Sequence, residues 1–179
     1  MKLSKSLLVL TVVSVFALAI AAFSTSSAQA RSRATCDNSI VDIAVAANAQ
    51  TGEFDTLIAA LKATNLVRPL DNCGKIVTVF APTDAAFEKL GLNADNIAKA
   101  LGRKTLSTVL LYHIARGELF AADVVQMDMI RMSNGGYVGV DVNEMGAFLT
   151  SKNDPAKIIS VDIDAANGVI HVIDNVLLP

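Results

Sequence analysis

At 179 residues the chain suffices for one domain, and no period of 20 to 50 residues repeats along it, which excludes solenoids and tandem arrays. Its 17 acidic and 15 basic side chains leave a net charge of −2. That balance excludes the basic footprint that nucleic-acid phosphates require, and it argues against simple electrostatic attachment to anionic lipid.

Residues 1–30 read as a signal peptide rather than as part of the fold. Lys2 and Lys5 give the positive start, LLVLTVVSVFALAIAAF is the apolar region, and Ala28-Gln29-Ala30 is an A-x-A cleavage site that makes Arg31 the expected mature N-terminus. The competing reading is an uncleaved anchor, for which the apolar run is near the lower limit of length. No cysteine stands at the cleavage point, no second apolar span follows, and the C-terminus has no tail for a lipid anchor. The expectation is therefore a secreted or periplasmic protein with no stable membrane insertion after cleavage. Residues 31–37 form a short lead and 38–179 the domain.

Two cysteines, Cys36 and Cys73, lie in the exported part, where the compartment is oxidising. A bridge between them is the simplest reading, and a loop of that size contributes on the order of 3–4 kcal/mol in the chain-entropy account. Two free thiols are the alternative.

In chain order, Asp37, Asn38 or Ser39 can cap a first helix whose apolar stripe is Ile40, Ile43, Ala44 and Ala47. Thr51-Gly52 ends it. EFDTLIAALKATNL is a second helix, with Phe54, Leu57, Ile58 and Leu61 on one face. Then comes TVFAPTDAAFEKL, residues 78–90. Val77, Val79 and Ala81 alternate with Thr78, Phe80 and Pro82, and a short run apolar on both faces predicts a central buried strand. Pro82 ends it, Thr83 can cap the helix that follows, and Asp84 in the first turn is favoured by the helix dipole. Ala86, Phe87 and Leu90 return at helical spacing.

Asn93 starts a helix ending near Gly102, and another runs from about Lys104 to Tyr112. From His113 the pattern turns to period two and stops at Gly117, and residues 121–125 suit one short turn. MIRM, YVGVDV, AFLTS, IISVDID and VIHVIDNVLL then read as strands joined by turn-forming residues. Asn167-Gly168 predicts a hairpin whose two central residues have positive φ. Helices first and antiparallel strands later predict an α+β domain.

The chain has two histidines, His113 and His171, and none of HExxH, CxxC, G-x-S-x-G or a glycine-rich phosphate loop. Nothing combines a nucleophile, a base and an orienting group, so the residues predict a protein that is not an enzyme and carries no cofactor.

TVFAPTDAAFEKL resembles the first signature box of the fasciclin domain. Tyr112-His113, within LLYHIARGEL, resembles that family's Tyr-His pair, and NGVIHVIDNVLLP, residues 167–179, its closing box. The resemblance runs from about residue 38 to the C-terminus. It implies a β-sandwich wedge with helices along one edge. It also implies adhesion or surface contact with a protein or polysaccharide partner.

In animal members the Tyr-His pair has been implicated in contact with integrin-type receptors. The residues also admit a structural role, with Tyr112 half-buried and His113 donating to a backbone carbonyl or to a carboxylate such as Asp84. SVDID, residues 160–164, aligns with the family's Glu-Pro-Asp-Ile-Met adhesion motif, matching it at Asp162 and Ile163 alone. A plain strand with Val161 and Ile163 inward is the alternative. A different class of function is binding of an apolar small molecule such as a carotenoid or lipid, as in some algal proteins of this type. Met127, Met129, Met132, Tyr137 and Phe148 are its candidate lining. Alternate spacing puts two of these methionines on one face of a strand.

Overall fold

The structure, a computed structural model, describes residues 37–179. The expected signal peptide, its cleavage site and Cys36 lie outside these residues. Within the described residues no helix is long and apolar enough to cross a membrane.

The described residues begin with three helices, α1 (Ile40–Thr51), α2 (Asp55–Thr64) and α3 (Val67–Leu70). Ser39 is the N-cap of α1. Its hydroxyl accepts from the Asp42 N–H while the Asp42 carboxylate accepts from the Ser39 N–H, so two otherwise orphaned donors are satisfied reciprocally. Strand β1 (Val77–Pro82) leads through Thr83 into α4 (Asp84–Glu88), and the Thr83 hydroxyl accepts from Ala86 N–H at 3.3 Å. α5 (Ile97–Leu111) is interrupted at Gly102, which has φ 67° and ψ 154°, where the sequence predicts a break between two helices. β2 (Ile114–Arg116), α6 (Ala121–Val124), β3 (Met129–Arg131), β4 (Tyr137–Asn143), β5 (Gly146–Thr150), β6 (Ala156–Ala165) and β7 (Gly168–Ile173) follow.

The strands form one seven-stranded sheet in the order β2-β1-β7-β6-β5-β4-β3. All neighbours are antiparallel except β1 and β7, which pair in parallel from Val77↔Gly168 to Pro82↔Ile173. The outer strands come back toward each other: Ala115 bridges Met132, and Ser133 N–H donates to Ile114 C=O at 2.7 Å. The expected two-layer sandwich is thus replaced by a single sheet that nearly closes on itself. Pairing is a long-range property, and strand positions alone do not fix it.

β1 has the two-faced burial that its sequence predicts. Val79 and Ala81 join Ile170 and Val172 under the helices, against Leu57, Leu61, Phe87 and Leu110. Phe80 and Ile173 face the inside of the sheet with Tyr112, Val138, Leu149 and Leu177. Each large apolar side chain so buried contributes about 1.5–3 kcal/mol.

The hairpin at Asn167-Gly168 is present, but its geometry differs from the prediction. Ala165 pairs with Gly168, so Ala166 and Asn167 are the central residues, and neither has positive φ. Gly168 has φ 142°, and a Cβ there would lie 1.7 Å from the Val77 carbonyl oxygen. It is glycine both because β1 passes against it and because its φ is one that other residues rarely adopt.

Candidate functional site

Tyr112 and His113 close α5 and open β2, and both are buried. Tyr112 is 5 % exposed. Its hydroxyl donates to the Tyr137 carbonyl at 2.6 Å, and burial pushes its phenol pKa up. The ring lies against Gly136, where a Cβ would stand 2.8 Å from Cε2. The pair thereby fixes the end of α5 to the start of β4.

His113 is 2 % exposed. Leu177 N–H donates to Nε2 at 2.9 Å, which leaves Nδ1 protonated to donate to Val109 C=O at 2.8 Å. This tautomer is neutral, and burial lowers the pKa to about 4. A second proton would meet the Leu177 N–H head on. His113 therefore holds the C-terminal segment against α5. Asp84 is not its partner: the carboxylate accepts from Asp55 N–H at 3.1 Å and Thr56 N–H at 2.8 Å, capping α2 from across the chain.

His171 is the equivalent pin on β7. It is fully buried and stacked on Phe80 with ring centroids 5.5 Å apart. Nδ1 accepts from Asp162 N–H at 3.3 Å, so Nε2 carries the proton and donates to Leu119 C=O at 2.7 Å. The Asp162 carboxylate accepts from Ala121 N–H at 2.7 Å, at the start of α6. Asp162 has φ 56°, and the β6–β7 register slips between Ser160 and Ile163. This bulge reverses the expected orientation: Val161 is 48 % exposed, and Ile163 alone turns toward the helix-side core. Only Ala156 and Lys157 of β6 pair with β5, so among the described residues Ile158 to Ala165 have a single strand neighbour. Ile159, 52 % exposed, lies on the same stretch.

Asn167 was legible as a turn residue only, and the structure gives it more. It is fully buried; its Oδ1 accepts from Ile40 N–H at 2.8 Å and its Nδ2 donates to Leu70 C=O at 2.5 Å. Ala166 N–H donates to Asn38 C=O at 2.9 Å. The hairpin tip thus ties the start of α1 and the end of α3 to the sheet. Cys73 lies three residues after Leu70 and is not a free cysteine. Its expected partner Cys36 is outside the described residues, so their pairing is a proposal.

The methionines separate. Met132 is 2 % exposed within the inner core, whereas Met129 is 63 % and Met127 36 % exposed. Among the described residues no group of three or more His, Cys, Asp or Glu could hold a metal ion.

The fasciclin domain model matches residues 52–179. Protein sll1483 of Synechocystis sp. is 38 % identical over 149 residues, covering 83 % of this chain and 78 % of that protein. Immunogenic protein MPB70 of Mycobacterium bovis is 34 % identical over 142 residues, covering 76 % of this chain and 68 % of that one. Among solved structures, a FAS1 domain pair from the insect cell adhesion molecule fasciclin I superposes with a TM-score of 0.58 at 20 % identity, over 69 % of this chain and 46 % of that one. At that identity the superposition speaks for the fold. The three sequence boxes, the mixed helix and nearly closed sheet, and the family match over residues 52–179 agree, and the chain belongs to the fasciclin domain family.

Proposed function

We propose that this protein is an exported, non-catalytic interaction module that contacts a protein or polysaccharide surface through the bulged stretch of β6, Ile159 to Ile163. The observation that carries the reading is this stretch itself. Among the described residues it has one strand neighbour, and it presents Ile159 and Val161 at about half exposure on a strand whose other half is anchored. Apolar side chains held rigidly at a partly open sheet edge favour contact with a partner. Tyr112 and His113 act as structural pins, since their polar atoms are spent on Tyr137, Val109 and Leu177. Asp162 shapes the stretch by capping α6. Family membership supports a binding role in general, and the leader in the sequence supports export.

The test is attachment of cells to a surface coated with the purified protein, against a charge-matched control protein. Attachment above the control is expected, and it falls when Val161 is replaced by Asp. Equal attachment to both coatings overturns the reading.

A further inference from the structure

The seam where the sheet nearly closes is flanked by two clefts that share Arg116 and Ser133. One, of about 290 Å³, is lined by Leu119, Met127, Met129 and Arg131 besides the shared pair. The other, of about 550 Å³, runs under α3 and the end of α5, past Leu66, Leu70, Ile76 and Leu111, with Lys75 at its side. Small-molecule sites fall in the range of roughly 300–1,000 Å³ and are mostly apolar with a few placed polar groups. Among the described residues three cations, Arg116, Arg131 and Lys75, line the two clefts, and none of the lining residues is acidic. This concentration of one sign occurs on a chain whose net charge is −2. None of the three cationic side chains has a hydrogen-bond or ion-pair partner among the described residues.

We propose that this seam binds an anionic amphiphile of the fatty-acid class. The carboxylate sits at Arg116, the cation common to both clefts, and the acyl chain lies along the apolar floor of the larger one. A guanidinium presents two parallel N–H groups to a carboxylate, and such charge-assisted pairs are about twice as strong as neutral hydrogen bonds. The methylene chain meets Leu66, Leu70, Ile76 and Leu111, of which Ile76 is 48 % exposed and gains burial on binding. The site is remote in kind from the β6 surface proposed above and does not depend on it.

The test is calorimetric titration of the purified protein with dodecanoate below its micellar concentration, with dodecanol as the neutral arm. One saturable site is expected for dodecanoate, with dodecanol weaker by about tenfold. Arg116 is exposed, so Arg116→Gln should fold as the parent does and weaken dodecanoate by about tenfold, whereas Lys99→Gln, outside both clefts, should leave it unchanged. Methyl resonances of Ile76 and Leu111 should shift on addition of dodecanoate. The absence of a saturable site, equal binding of dodecanol, or equal losses in Arg116→Gln and Lys99→Gln each overturns the proposal. Shifts confined to residues away from both clefts do so as well.

Discussion

β6 and β7 are neighbours joined by two residues, yet water reaches them very differently. Every residue of β7 is buried, while Ile159 to Asp162 and Asp164 of β6 are exposed or nearly so. β7 lies between β1 and β6 in the sheet, with the helices on one face and the inner core on the other. Among the described residues the middle of β6 has β7 on one side and no strand on the other. The same hairpin therefore carries a strand buried on both faces and a strand whose exposed middle is the contact surface proposed above. Changes in or beside β7 should cost stability, and changes in the middle of β6 should cost contact.

The largest effect is expected at the join. Gly168→Ala places a Cβ 1.7 Å from the Val77 carbonyl, a backbone atom that cannot rotate away. The expected loss is more than about 4 kcal/mol, in the range reserved for core clashes and strain. Denaturant midpoints should show it, and a loss under about 1 kcal/mol would mean that β1 and β7 can separate at that end.

Next is the pH dependence from His113. Its pKa is 6.5 when unfolded and about 4 in the fold. Between those values the unfolded chain binds a proton that the folded chain does not, so stability is lost as pH falls from 6.5 toward 4 and the loss then levels off. The amount is about 3 kcal/mol, at about 1.4 kcal/mol for each tenfold in proton affinity. Urea titrations across this window should be steeper for the parent than for His113→Gln, whose amide can still donate to Val109 and accept from Leu177. Equal slopes would remove His113 as the source.

Asn167→Ala should cost about 2–3 kcal/mol, since Ile40 N–H and Leu70 C=O lose their buried partner together. Amide exchange should quicken first at the start of α1, ahead of β7. If Cys36 and Cys73 are bridged, Cys36→Ser should fall at the lower end for a native disulfide, about 2 kcal/mol. The Asn167 bonds already hold the same two chain segments. Alkylation of the unfolded, unreduced protein tests the bridge itself: two modified sulfhydryls would refute it.

These positions also show what a sequence discloses. The order of helices and strands follows from period, caps and turn residues, and β1 was legible because apolar residues occupy both of its faces. The roles of polar side chains were not. Asp84 caps α2 rather than only favouring its own helix, and the partner segments lie 28 and 29 residues away, beyond any local pattern. Asn167 looked like a positive-φ turn residue because Asn-Gly is the strongest short hairpin signal. Its buried amide serves residues distant in the chain.

At β6 strict alternation predicted Val161 inward, but the register shifts twice between Ile158 and Ile163, the second time at Asp162 with φ 56°, and Val161 is exposed. That bulge depends on His171 and α6, which no reading of residues 160–164 alone contains. For the Tyr-His pair, burial of both side chains favours the structural role over direct contact.

If fold and contact are divided between two adjacent strands, the double variant Ile159→Ser/Val161→Ser should separate them in a paired measurement of stability and attachment. Both side chains are about half exposed, so the unfolding free energy from urea titration should stay within about 0.5 kcal/mol of the parent's per site. Attachment to the coated surface should fall to the level of the control protein. Attachment equal to the parent's, in a variant that folds as stably, would contradict the account.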